Sequence, residues 1–399
     1  MKSFFDPEIS YQEWKNMNPG LAEKTNRFNP KSVRDHLVRR GFKPEYVVRY
    51  QYRPFDARWL YWEPETKLLD EKRDEYFPHI DQRNHWIEAR QKQTMESFDR
   101  GFVTRLLADN FGNGLSNFFP LNLKTAELHG PLLGTPNSPK ETRNIAENAQ
   151  KYLSGVGSDG EALFFHSICI LNDASFRAEN AGALRQDWPR IPLPDSKQAL
   201  FASAKLGYQV ADLLDVECPV KGVTAGDFRP ELKLVGFPSR AAGGNLKQSE
   251  LALTAGWGHA GKGGVTMPGK GQTVERPYSK SELDAIKQGA KALGLSEKDG
   301  LVILGEGTRD VYLNDAAYWS NIPSRVWDYT IGGYQVIKKW LSYREQPLLG
   351  RPLTLDEVRY VQEMARRIAA ILLLEPALDA NYESIKQHTF PWPTKGGNP

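Results

Sequence analysis

WPRIPLPDSKQALFASAKLGYQVADLL, residues 188–214, divides the chain into two strand-rich parts. Pro189, Pro192 and Pro194 each lack the N–H that a helix interior needs, so residues 188–194 are extended. Asp195 follows as an expected N-cap, with Gln198 three residues on as its capping-box partner. Leu200, Ala204, Gly207, Ala211 and Leu214 recur at spacings of four and three, one face of an amphipathic helix that Cys218-Pro219 ends. Upstream, Leu163, Ile168, Leu171 and Phe176 predict another helix between Glu161 and Leu184. Residues 161–216 are therefore a helical spacer.

Before the spacer, residues 1–30 are polar and broken by Pro7, Pro19 and Pro30, which predicts an extended arm or linker. A short helix is expected over Ser32–Arg40, capped by Ser32. YVVRYQYRPFDARWLYW, residues 46–62, alternates apolar and charged residues and predicts strands, with Pro54 at an edge or turn. Glu71–Arg100 is ambiguous, and Phe102–Leu107 suits a strand. Gly112 and Gly114 place a turn in Phe111–Pro120, leading into the apolar Phe118–Leu123; Gly130–Glu141 is a loop. Residues 31–160 form a first α/β lobe.

After the spacer, residues 217–323 form a glycine-rich, β-containing second lobe. VTAGDFRPELKLVGF (223–237) looks strand-like, GWGHAGKGGVTMPGKG (256–271) is dense in glycine, and a helix is expected over Ser281–Leu293. Residues 324–399 close the chain as helices. Ser324 is expected to cap one whose face holds Val326, Gly333, Ile337 and Trp340. Thr354 and Glu357 make a capping box for another, lined by Val358, Val361, Ala365, Ile368 and Leu372. The fold class is α+β: two mixed β-containing lobes joined and backed by helices.

Composition narrows the function. The 399 residues are 40% hydrophobic and 25% charged, with mean hydropathy −0.55, as in an ordered, water-facing protein. The longest aliphatic run, Ile368–Leu374, is fenced by Arg366, Arg367 and Glu375 and is far short of the roughly 20 residues a membrane helix needs. MKSFFDPEIS lacks an apolar signal core, and two cysteines, Cys169 and Cys218, exclude a disulfide scaffold, so a cytoplasmic setting is expected. A formal charge of +3 is too even for a purely electrostatic nucleic-acid binder.

Three catalytic motifs fail on their chemistry. Gly256 and Gly261-Lys262 have P-loop spacing, but Gly263 stands where a magnesium-binding hydroxyl belongs, and Pro268 bars the following helix. Phe111-Gly112-Asn113-Gly114 faintly matches an S-adenosylmethionine turn, yet Asn117-Phe118-Phe119-Pro120 is not the Asn/Asp-Pro-Pro-aromatic loop of an adenine methyltransferase. Asp195 with Glu231-Leu232-Lys233 loosely matches a metal nuclease, but Asp195 is expected to be a helix cap. Histidines 36, 79, 85, 129, 166, 259 and 388 are scattered singly, and no G-x-S-x-G elbow exists. No catalytic or metal-ligating residue is assigned.

What remains is a binding surface. Arg49, Arg53 and Arg58 interleave with Tyr50, Tyr52, Phe55, Trp59, Tyr61 and Trp62, a pattern that suits stacking on bases or an ordinary half-buried sheet. Between Lys221 and Lys280, nine basic residues face four acidic ones in glycine-rich backbone. That suits loops approaching phosphates, or a solvated surface.

Several strings resemble one family in order. They are YRPFDARWLYW (52–62), FVTRLLADN (102–110), NFFPLNL (117–123), FRAENAGALRQDWPRIPLP (176–194), LGYQVADLL (206–214) and VWDYTIGGYQVIKKWLSYRE (326–345). Together they resemble the C-terminal specificity domain of Type ISP restriction-modification enzymes. The PRIP string and the GGYQVIKKWL segment are the most diagnostic. Trp188, Pro189, Pro192, Gly333 and Trp340 are framework in this resemblance.

The resemblance implies a module that reads a short asymmetric word in double-stranded DNA. It would serve adenine-methyltransferase, translocase and nuclease modules on the same or a partner chain. S-adenosylmethionine, ATP and magnesium would belong to those modules, and this chain would need no cofactor and perform no catalysis alone. For such a reader, Asn245 and Gln248 beside Lys247 suit adenine edges, Arg240 and Arg276 suit guanine, and Lys262 and Lys270 suit the backbone. Two alternatives stay open: an enzyme acting on DNA itself, and a protein-docking subunit without DNA contact.

Overall fold

The structure, a computed structural model, describes residues 2–25, 27–69, 75–81, 83–91, 99–108, 116–125, 140–262 and 265–392. The turn at Phe111–Gly114, most of the loop at Gly130–Glu141, much of Glu71–Arg100, His129 and Gly263 lie outside the described residues.

Helices Gly160–Asn172 and Lys197–Leu214 pack closely at the centre. A Cβ on Gly207 would stand 1.8 Å from the Phe165 carbonyl oxygen, so only glycine permits this approach. The second helix is capped by Ser196, not by Asp195 as expected. The Asp195 N–H instead donates to the His388 carbonyl at 2.9 Å, because the proline-rich segment pairs with the chain's C-terminal stretch. The segment's carbonyls are also engaged. Tyr152 Oη donates to Pro194 O at 2.9 Å. His166 Nε2 lies 2.8 Å from Pro192 O, and its Nδ1 lies 2.7 Å from Ser203 Oγ on the second helix. Burial pushes the His166 pKa down to about 4, so the ring is a neutral strut.

The helix expected up to Leu184 breaks at Asp173 into Gly160–Asn172, Ala174–Glu179 and Ala181–Leu184. Asp173 caps the second piece through the Phe176 N–H. The extended arm expected at 1–30 is corrected as well. Lys2–Phe5 and Tyr11–Met17 are helices, the latter with a Ser10–Glu13 capping box. Phe4, Phe5 and Trp14 are buried with Val33, Leu37 and Tyr61. Three sparse aromatics make no periodic signal, yet they suffice for a small core. Pro30 opens helix Pro30–Arg40, and Asn29 caps it in place of Ser32.

The first lobe carries the antiparallel hairpin Val47–Arg53/Asp56–Tyr61, with Leu107–Ala108 parallel to its first strand. A second small sheet joins Val103–Thr104, Trp86–Ala89 and Asn117–Pro120. The second lobe is a four-stranded antiparallel sheet in the order Thr273–Arg276, Thr308–Tyr312, Ala317–Pro323, Phe237–Arg240. The strand-like reading of 223–237 is corrected: it holds the short helix Pro230–Lys233 and meets the sheet only at Phe237. The expected helix after Ser324 is also interrupted. Ser324–Trp327 and Val336–Ser342 flank a hairpin in which Gly332 and Gly333 take φ of 62° and 75°.

The Thr354–Glu357 capping box opens helix Leu355–Gln387, which backs both lobes. Trp319 of the second-lobe sheet is fully buried and donates to the Val358 carbonyl at 3.0 Å. Arg366 and Arg367 are buried as well. Arg366 donates to the Leu232 and Lys233 carbonyls at 3.0 and 2.9 Å, and Arg367 to Asp212 O at 2.9 Å. Both cations thus complete the C-terminal ends of other helices. Glu375 receives Arg325 at 2.7 Å and Arg100 at 3.3 Å. The architecture is mixed α+β, and among the described residues no helix is long and apolar enough to cross a membrane.

Asp173 is buried and faces Asp379 of the long helix. Burial first, and the neighbouring carboxyl second, raise its pKa from 3.8 to about 7. A raised carboxyl pKa gives stability that is full below 3.8 and is lost as pH rises through about 7. Denaturant midpoints are therefore expected to fall between pH 5 and pH 8, as judged from urea titrations, and Asp173→Asn should flatten that fall while keeping the cap.

Candidate nucleic-acid interface

The turn of the first-lobe hairpin carries the densest arginine–aromatic cluster. Phe55 sits at φ 59°, a conformation only few side chains adopt, held by the Tyr360 hydroxyl donating to its carbonyl at 2.6 Å. Next to it, Asp56 is 2% exposed and accepts from Arg58 at 2.6 Å and from Arg344 at 2.7 Å. Burial works against its charge, but the two guanidiniums outweigh it and hold the carboxyl below the ordinary range. The Arg58 guanidinium lies 4.0 Å from the Tyr52 ring centre and 5.0 Å from that of Tyr343. Arg344 lies 3.7 Å from the Trp340 ring. Arg53 lies over Tyr52 at 4.3 Å and donates to the Tyr52 carbonyl at 2.6 Å. On the other face, Arg49 stands over Trp59 at 4.8 Å and pairs with Glu217, Nε to Oε2 at 2.9 Å. Trp59 is 65% exposed, an open stacking surface beside a tethered cation.

In the glycine-dense stretch 256–271, Gly269 and Gly271 crowd against Trp257 and its neighbours, and Trp257 is fully buried. A Cβ on Gly258 would lie 2.0 Å from Ser342 O, and one on Gly269 2.1 Å from Gly256 O. The Glu345 carboxylate accepts the Gly256 and Trp257 N–H groups, each at 2.8 Å. From this root rises the hairpin Gly258–Ala260/Thr266–Pro268, with Lys262 exposed near its tip and Lys270 exposed at its base. Gly256 precedes strand Gly258–Ala260, and Gly261 and Lys262 follow it; the strand pairs antiparallel with Thr266–Pro268, so these residues do not form a P-loop opening a helix.

The remaining expected readers separate into two groups. Asn245, Lys247 and Gln248 are exposed on the turn that follows Gly243 and Gly244 (φ 73° and 79°). Gln248 makes one long hydrogen bond, to Leu353 O at 3.4 Å. Arg240 and Arg276 depart from expectation. Arg240 is paired with Glu250 at 2.7 Å. Arg276 forks onto Glu282 at 2.8 and 2.9 Å and also meets Asp310 at 3.0 Å. Glu282 first, with Asp310, raises the Arg276 pKa against the cost of burial. Its fork is already filled by carboxylates, so Arg276 fastens helix Lys280–Ala292 to the sheet.

The nuclease-like residues do not converge. Asp195 is exposed beside the proline segment, while Glu231 is buried against Arg229. Among the described residues no group of three His, Cys, Asp or Glu side chains is placed to hold a metal ion. Sequence reasoning missed Asp56, Lys339, Arg344 and Glu345 as site-building residues. The signal was present in SYRE, residues 342–345, but a charge pair at the end of a short helix has no meaning until its distant partners, Asp56 for Arg344 and the Gly256 and Trp257 N–H groups for Glu345, are placed.

The Type ISP C-terminal specificity domain family matches residues 12–370. The chain belongs to that family. The fold of this specificity domain is also found in larger solved structures. One is a cryo-EM structure of a DrdV–DNA complex, 14% identical, with TM-score 0.52 over 94% of this chain and 32% of that one. Another is the ATP-dependent Type ISP restriction-modification enzyme LlaBIII bound to DNA, 13% identical, with TM-score 0.53 over 96% of this chain and 21% of that one. The domain thus spans a third or less of each of those chains. Among curated proteins no sequence match was found.

Removing the buried Asp56 charge leaves two guanidiniums without their shared carboxylate. Asp56→Asn is expected to lower stability by about 3 kcal/mol, measured from the shift in the denaturant midpoint.

Proposed function

We propose that this chain is the target recognition module of a Type ISP-like restriction-modification system, reading a short word in double-stranded DNA. The observation that carries this is the specificity-domain match over residues 12–370. The DNA-bound state of the two structures sharing its fold supports it. In this reading, methyltransferase and translocase modules, on the same or a partner chain, bring S-adenosylmethionine, ATP and magnesium. They carry out the reaction in the cytoplasm while this module sets the address.

Base reading needs donors and acceptors on a rigid frame, and phosphate gripping needs exposed cations. Asn245 and Gln248 are outward amides, suited to pair with an adenine edge, with the exposed Lys247 between them in sequence, while Lys262 and Lys270 are exposed cations at the 258–268 hairpin. Arg49, Arg58, Arg240 and Arg276 hold the frame through internal carboxylates.

Selection of bound duplexes from a random pool tests the reading, and enrichment of one asymmetric word is the expected result. A pool that stays random, or binding indifferent to salt, would overturn it. With that word in hand, Lys262→Ala and Lys270→Ala should each weaken binding evenly across sequences and reduce the salt slope by about 0.9. Asn245→Ala or Gln248→Ala should instead cost about 1–3 kcal/mol on the enriched word alone. Filter retention across a salt series reads all four.

A further inference from the structure

Beside the hairpin turn lies a small cleft of about 10 Å³, walled by Arg53, Pro54, Tyr334, Lys339 and Trp340. Its chemistry is one-sided. The Lys339 ammonium stands 4.6 Å from the Tyr334 ring and 5.0 Å from the Tyr343 ring, and among the described residues no carboxylate pairs with it. Half-burial first, and the nearby Arg53, pull its pKa below the ordinary lysine value, opposed by Tyr334 and Tyr52. The carboxylate in the wall, Asp56, is already shared by Arg58 and Arg344. Trp340 is 3% exposed and lines the cleft with its buried ring. A half-desolvated cation without a carboxylate partner is costly unless something supplies an anionic acceptor.

We propose that this cleft seats a non-bridging oxygen of a DNA backbone phosphate, with Lys339 as the charged donor. The inference rests on the DNA-recognition reading and adds to it a contact in the closing block of the chain. Size supports a phosphate oxygen over a base: the space admits about one water-sized group, not a ring. The tyrosine faces fix the ammonium from the sides, as aromatic walls do for cations. Such a contact positions the duplex and carries no sequence information.

The test measures the full chain's affinity for its enriched duplex and for an unrelated duplex across a salt series. Lys339→Met is expected to weaken both by the same factor and to reduce the salt slope by about 0.9, whereas Lys339→Arg keeps the slope. Should Lys339→Met fail to fold, Lys339→Gln takes its place in the same comparison. Wild-type binding with an unaltered slope in the neutral Lys339 variant overturns this proposal alone; no DNA binding by the wild type overturns the recognition reading and this proposal with it. A thermal shift with inorganic phosphate that depends on Lys339, combined with an unaltered DNA slope, would assign the cleft to the free anion and overturn the DNA contact.

Discussion

Two adjacent residues fasten the lobes to each other. Arg344 reaches Asp56 in the first-lobe hairpin, and Glu345 accepts the Gly256 and Trp257 N–H groups at the root of the second-lobe hairpin. Both follow directly on helix Val336–Ser342, whose Ser342 carbonyl leaves room only for a glycine at 258. Both ends of this clamp are charge-assisted hydrogen bonds in protected surroundings, where they are stronger than at an exposed surface. The relative placement of the two β-containing lobes follows from this short stretch.

Arginine has an unusual share in the framework. Arg366 and Arg367 complete helix ends from inside the protein, Arg276 bridges a helix and a strand, and Arg58 and Arg344 share one buried carboxylate. The planar fork suits such roles because it satisfies several acceptors at once in a fixed geometry. A near-neutral total charge of +3 therefore conceals a division of labour: arginines are largely turned inward to carboxylates and carbonyls, while Lys247, Lys262 and Lys270 face water.

Local patterns in the sequence carried far. The hairpin at 47–61, the amphipathic helix ending at Leu214 and the Thr354–Glu357 capping box were legible because each is encoded within a few residues. Errors came where distant partners decide. Asp195 looked like a cap until His388 claimed its N–H, and Arg276 looked like a base reader until Glu282 and Asp310 occupied its fork. The small core around Phe4, Phe5 and Trp14 was hidden by its low aromatic density, and the glycines at 256–271 signalled freedom where the fold uses them for close contact with Trp257. A glycine count reports permission; only the neighbours report whether the permission means motion or crowding.

The wrapped tryptophan has an evolutionary side. Trp257, its crowding glycines and the Glu345 carboxylate anchor the hairpin at its base, and Lys262 lies exposed just beyond its first strand. A lineage can exchange the residue at 262 without rebuilding the knuckle beneath it.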